Sequence, residues 1–194
     1  MRMSNEAKQE LLLKNFDIIK DNYNKNHIGM ASVVVKMLKI DINTAVDMWS
    51  YLVTKHASKV KSEDSWSLTG RIMYEGGNAI GEEQMEEVVL KNQVLKKALF
   101  AQACDDVRLF VSKIISRSIS TNDLQTADEL LALVYKNKYR NNSWYEIMDN
   151  IIPDDPDDMN VTAEAYELLE MWCDKVKDPE ERAKLSIKMI EYID

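Results

Sequence analysis

The chain has 194 residues and a formal net charge of −8, with 45% apolar and 30% charged residues. This balance is typical of a folded domain or a short repeat array, and it excludes a disordered chain. There are only 5 Gly and 3 Pro, and no apolar run reaches the ~18 residues of a membrane span. We therefore expect an all-α protein without a membrane segment.

Helix start signals recur along the chain at a nearly constant interval. The first helix of each pair is predicted to begin near residues 4, 41, 82, 122 and 158, and the second near 27, 65, 99, 141 and 179. Intervals of ~35–45 residues, each spanning two helices, are typical of an α-solenoid.

Two segments of similar pattern support the repeat: DINTAVDMWSYLV at 41–53 and DLQTADELLALVY at 123–135. Each begins with an Asp that can accept hydrogen bonds from the first turn, and continues through Thr-Ala into an apolar stripe. Thr-Ala occurs again at 162–163. The alternative is that any all-helical chain with helices of average length looks periodic.

The sequence thus predicts a right-handed α-α superhelix (solenoid) of about five antiparallel hairpins. It predicts one repeat domain over residues 1–194, with hairpins at approximately 4–38, 41–75, 82–119, 122–152 and 158–194. The layout resembles HEAT-like or TPR-like superhelices only coarsely, because the residue consensus of neither family is present.

Three helix boundaries are predicted from local residue patterns. The pair Gly76-Gly77 favours a helix end followed by a turn. One helix is expected over about Leu99–Ile119 and another over about Met159–Val176, because apolar residues recur there at helical spacing.

The segment EGGNAIGEE at 75–83 lacks the Lys of a phosphate-binding loop, and Glu82 and Glu83 would repel phosphate. IPDDPDDMN at 152–160 places Met159 where a calcium loop needs an oxygen ligand. His27 and His56 have no nearby ligand or nucleophile motif. We expect no catalytic site, no metal site and no cofactor.

Charge is distributed unevenly along the chain. Residues 1–61 hold 10 Lys/Arg and 6 Asp/Glu, a balance of +4, whereas residues 149–194 hold 5 Lys/Arg and 14 Asp/Glu, a balance of −9. The acidic end favours a basic protein partner or simply solubility. It makes general nucleic-acid binding an unfavourable hypothesis, since that activity needs a basic face.

Two segments contain the candidate partner-binding residues. The first, YKNKYRNNSWY at 135–145, mixes cations and aromatics, as protein hot spots and single-strand nucleic-acid sites do; alternatively, its aromatics pack between hairpins. The second is the acidic turn, residues 153–158; alternatively, its carboxylates only cap the next helix. The predicted contacts are Lys136, Lys138, Tyr139, Arg140, Trp144, Tyr145, Asp154, Asp155, Asp157 and Asp158.

The function that fits these features is a non-catalytic protein–protein interaction module, a scaffold or adaptor, acting as a monomer or weak homo-oligomer. Two alternatives stay open: an acidic inhibitor or immunity-type protein binding a basic partner through its C-terminal quarter, and a nucleic-acid-associated factor. Cys104 and Cys173 are the only cysteines; we expect two buried free thiols, with a single disulfide as the alternative. Such sparse cysteine usage, and the lack of a signal-peptide core in the first twenty residues, predict the cytoplasm.

Overall fold

The structure, a computed structural model, describes residues 2–21, 27–55, 68–101, 105–136 and 144–193. All regular secondary structure in these ranges is helical, which confirms the all-α prediction. The helices are α1 (Asn5–Asp21), α2 (His27–Leu38), α3 (Ile42–Lys55), α4 (Leu68–Ile80), α5 (Glu82–Lys91), α6 (Gln93–Ala101), α7 (Asp105–Ser120), α8 (Leu124–Lys136), α9 (Trp144–Ile151), α10 (Ala163–Cys173) and α11 (Pro179–Ile190).

The chain divides into two compact units, which we call unit 1 (Met1–Ala98) and unit 2 (Leu99–Asp194). The boundary falls inside α6. The superhelical arrangement, the single repeat domain and its five hairpins stay predictions.

Helix α2 is the centre of unit 1, where it packs against α1, α3 and α4. Its Met30, Val34 and Met37 are completely buried. A helix that is apolar over most of its circumference gains stability only when several neighbours cover it, which explains this position. Helix α4 also packs against α5.

In unit 2, α7 packs against both α8 and α9, while α10 contacts α8, α9 and α11. The core is built from Ile115, Leu131, Met148 and Leu169, none of them more than 1% exposed. Helix α11 closes the unit by packing on α9 as well as α10.

Three helices begin at an Asp cap, among them the two predicted at Asp41 and Asp123. Asp41 accepts hydrogen bonds from the backbone N–H groups of Asn43 and Thr44 and, at 2.6 Å, from the Thr44 hydroxyl. The Thr44 hydrogen bond lowers the pKa of this carboxyl. Asp123 accepts from the N–H of Thr126 at 3.3 Å. Asp178 caps α11 immediately before Pro179, the pattern expected at a helix start.

The expected turn at Gly76-Gly77 is wrong, because α4 continues through both residues to Ile80. The physical reason is packing at Gly76, where an added Cβ would lie 2.8 Å from the Sδ of buried Met85. Gly76 therefore lets α4 and α5 approach closely. The break comes at Gly81, whose φ of 96° favours glycine.

Two predicted helix starts are wrong. The helix expected over about Leu99–Ile119 begins earlier, at Gln93, as α6, and its remainder falls on α7, with residues 102–104 between the two outside the described ranges. The helix expected from Met159 begins only at Ala163, because the Thr162 hydroxyl accepts from Ala165 N–H at 3.2 Å and caps it there. The Thr-Ala pair at 162–163 thus forms the helix start, whereas the pairs at 44–45 and 126–127 lie within helices.

Candidate protein-binding surface

The acidic turn, residues 153–158, contains hydrogen bonds between its own residues. Pro156–Asp158 forms a single 3-10 turn, and the Asp155 carboxylate caps it by accepting from the N–H of Asp157 at 3.0 Å. Asp154, Asp155, Asp157 and Asp158 are all exposed. Four carboxylates are therefore presented to solvent from a short, locally fixed backbone.

Two side chains anchor this turn, Lys188 of α11 and Tyr192 of the turn that follows the helix. The ammonium of Lys188 lies 2.8 Å from a carboxylate oxygen of Asp149 and 2.8 Å from one of Asp154. The hydroxyl of Tyr192 donates to the carbonyl of Pro153 at 2.8 Å. The position of the turn is thus fixed on the helix surface.

The charges of Lys188 and of its two carboxylate partners stabilise one another. Desolvation alone would lower the pKa of Lys188, but hydrogen bonds from its ammonium to Asp149 and Asp154 outweigh it and raise that pKa. The same Lys188 hydrogen bond lowers the pKa of Asp154. Burial raises the pKa of Tyr192 to about 12, so its hydroxyl remains a donor at neutral pH.

A second feature of unit 2 is the aromatic cluster, formed by Tyr135, Trp144 and Trp172. The ring centroids of Tyr135 and Trp144 lie 5.0 Å apart in edge-to-face contact, and Trp172 lies 5.7 Å from both. Each indole N–H has a hydrogen-bond acceptor at 2.9 Å. Trp144 Nε1 donates to the carbonyl of Trp172, and Trp172 Nε1 donates to Asp128. The cluster joins α8, α9 and α10.

A cation covers the aromatic cluster. The ammonium of Lys175 lies 4.9 Å from the Trp172 ring centroid and 5.6 Å from that of Tyr135. These distances are in the range of cation–π attraction. Because Tyr135 and Lys136 remain exposed, this edge of unit 2 offers a limited aromatic and basic surface.

The predicted contacts are only partly brought together. Trp144 and Tyr145 lie half-buried at the start of α9, and Lys136 is exposed at the end of α8. Lys138, Tyr139 and Arg140 lie outside the described residues, as do Cys104 and His56. Trp172, Lys175 and Asp128 were not predicted as site residues, because the hydrogen bond from Trp172 to Asp128 spans 44 residues and leaves no local pattern.

Among the described residues no group of three His, Cys, Asp or Glu side chains is placed to hold a metal ion. No helix in the same ranges is long and apolar enough to cross a membrane. Burial, followed by the charge of Asp174, raises the pKa of the Cys173 thiol to about 12. This cysteine is therefore a poor nucleophile at neutral pH.

Comparison with protein-family models, with curated proteins and with solved structures finds no match to this chain.

Proposed function

We propose that the protein is a non-catalytic protein–protein interaction module, a cytoplasmic scaffold or adaptor, and that unit 2 binds a basic partner through the acidic turn. The observation that carries the proposal is the fixed placement of four exposed carboxylates by Lys188 and Tyr192. A surface whose backbone is already ordered loses less conformational entropy when a partner binds.

The turn also carries more acid than the fold requires. Asp155 caps the 3-10 turn and Asp154 pairs with Lys188, whereas Asp157 and Asp158 contribute exposed charge without being needed for those two contacts. Unit 2 as a whole holds 11 Lys/Arg and 20 Asp/Glu, a balance of −9. Complementary charge of this size accelerates encounter with a basic surface and disfavours acidic partners.

The same carboxylates favour one special case, an acidic inhibitor that blocks an enzyme with a basic active site. The distinction is made by the partner: inhibition requires that the bound enzyme lose turnover, whereas an adaptor leaves its partner active. A nucleic-acid-associated function draws no support from unit 2, since phosphate binding needs net positive charge.

Charge reversal on the turn tests the proposal. Wild-type protein and the double variant Asp157→Lys/Asp158→Lys are immobilised and used to capture proteins from a lysate of the cells that make it. The matched control is Glu167→Lys/Glu170→Lys, which changes the charge equally at exposed sites on α10. We expect a basic protein to be retained by the wild type and the control, and its recovery from the turn variant to fall at least tenfold.

Two results would contradict the proposal. Equal recovery of every captured protein by all three forms would show that the turn does not select a partner. If the purified chain turned over a substrate, and the turn variant retained that activity, the protein would be an enzyme instead.

A further inference from the structure

Helix α11 is apolar on two opposite sides. Leu185 and Met189 face the core of unit 2, at 0% and 3% exposure, whereas Ile187 and Ile190 are 62% and 60% exposed. With 3.6 residues per turn, Ala183, Ile187 and Ile190 align at i, i+4 and i+7 on the side away from the core. We call these three residues the outer stripe.

The spacing of the outer stripe is the one used when helices pack together. Recognition of a helix by a partner uses apolar anchors at i, i+3, i+4 and i+7. Helices that face solvent on one side normally carry polar residues there, and apolar residues all round are typical of helices covered on both sides. Two large aliphatic side chains on the solvent face of α11 therefore suit a second helix.

The outer stripe is bordered by acid along one edge. Glu191 follows Ile190 and lies between the stripe and Lys188 on the helix circumference. Lys188 in turn holds Asp154, so the acidic turn lies on the same side of α11, beyond Glu191 as seen from the stripe.

The three cations of α11 offset only part of that acid, since each forms its ion pairs with carboxylates of unit 2 and the remaining acids have no such partner on the helix. Arg182 donates to Asp174, and Lys184 lies 3.2 Å from Glu180. Lys188 is shared by Asp149 and Asp154. A partner thus meets an apolar stripe flanked by excess negative charge.

We propose that the outer stripe docks an amphipathic helix of a partner protein, one whose apolar stripe is bordered by Lys and Arg. The inference rests on the proposed function, and it names the chemistry of the basic partner. The acidic border selects this occupant: a second copy of α11, or an anionic lipid surface, would bring negative charge against negative charge.

The probe is a pair of designed, fluorescently labelled peptides of about 18 residues, long enough to form a helix. One has a Leu stripe flanked by Lys, and the other has the same stripe flanked by Glu. Binding to the full chain is followed by fluorescence anisotropy for the wild type, for Ile187→Ser/Ile190→Ser, and for the control Leu11→Ser/Leu109→Ser, which removes exposed leucines elsewhere. Circular dichroism verifies that both variants remain folded.

We expect the Lys-flanked peptide to bind the wild type and the control alike, and the stripe variant at least tenfold more weakly. The Glu-flanked peptide should bind the wild type at least tenfold more weakly than its Lys-flanked counterpart. Equal affinity of the stripe variant and the wild type would overturn the proposal. So would a concentration-dependent dimer in sedimentation that the Ile187→Ser/Ile190→Ser change abolishes, since the stripe would then be covered by a second copy.

The capture experiment separates this inference from the proposed function. If Asp157→Lys/Asp158→Lys loses the natural partner while Ile187→Ser/Ile190→Ser retains both that partner and the peptide, the stripe is not the docking site and the acidic function stands. If the stripe variant loses the peptide while the turn variant still captures every partner, the acidic turn is not required and the proposed function is wrong.

Discussion

Lys188 is the residue on which the geometry of the acidic turn depends. Its side chain is 17% exposed and its ammonium also donates to the Asp149 carbonyl at 3.1 Å. Charged hydrogen bonds of this kind contribute about 1.5–3 kcal/mol to stability when they are protected from water. Asp154, however, is 93% exposed, so solvent screens its attraction to Lys188. Most of the stabilisation therefore comes from the contacts to Asp149.

We predict that Lys188→Gln lowers the free energy of unfolding by about 1–2 kcal/mol, because the more protected Asp149 loses a charged partner. The control Lys184→Gln removes an exposed pair with Glu180 and should lower the free energy of unfolding much less, because solvent screens that pair. Urea unfolding followed by circular dichroism measures both. Equal losses in the two variants would contradict the assignment of Lys188 as the anchor.

The pH dependence of the Lys188 contribution follows from the two shifted groups. The pKa of Lys188 is raised above 10.5, so its stabilisation is present below that pH and is lost as pH rises through the raised pKa. The pKa of Asp154 lies below 3.8. The stability that Asp154 gains from Lys188 is therefore present above that pH and is lost as pH falls through the lowered pKa. The difference between the wild type and Lys188→Gln should therefore be constant from about pH 5 to pH 9.

At the residue scale, local chemistry was predictable from the sequence and distant contacts were not. Asp178 next to Pro179 indicates a helix start because cap and helix are adjacent in the chain. The pairing of Lys188 with Asp149, 39 residues away, depends on how α9 meets α11. No spacing rule encodes such a meeting, so the anchor of the acidic turn could not be predicted although its carboxylates were.

At the scale of elements, α4 shows how packing overrides a local helix-breaking signal. Two consecutive glycines lower intrinsic helix stability, yet α4 continues through them because Gly76 allows buried Met85 to approach. Gly77 has only ordinary contacts, the nearest 3.5 Å from the added Cβ position, at Glu82. The two neighbours therefore have different physical roles, which a sequence pattern alone does not separate.

We predict opposite effects of substitutions at these two glycines. Gly77→Ala should raise the free energy of unfolding by about 0.5–1 kcal/mol, because Ala is the better helix former and has room. Gly76→Val should lower it by about 1–3 kcal/mol, because the added methyl groups collide with Met85 and Leu38 in a packed core. Stabilisation by both changes in chemical denaturation would show that α4 and α5 separate easily at this point.

At the scale of the whole molecule, charge is divided between the units more sharply than apolar residues are. Unit 1 holds 14 Lys/Arg and 13 Asp/Glu, a balance of +1, against −9 for unit 2. This asymmetry could be counted from the sequence. The exposed aliphatic face of α11 could not, because its isoleucines fit a helical core pattern equally well and only the packing of α9 and α10 decides which ones are covered.

If the acidic charge and the outer stripe both contribute to peptide binding, changing the salt concentration should separate the two contributions. Raising the salt concentration from about 0.1 M to about 1 M shortens the Debye length from about 10 Å to about 3 Å, which screens the carboxylates and leaves the apolar contact. Stopped-flow measurements with the Lys-flanked peptide should show the association rate constant falling at least tenfold while the dissociation rate constant changes much less. In Asp157→Lys/Asp158→Lys the association rate should depend less steeply on salt, because two of the steering charges are reversed. An association rate that is insensitive to salt in the wild type would mean that the charge of unit 2 does not guide the partner to α11.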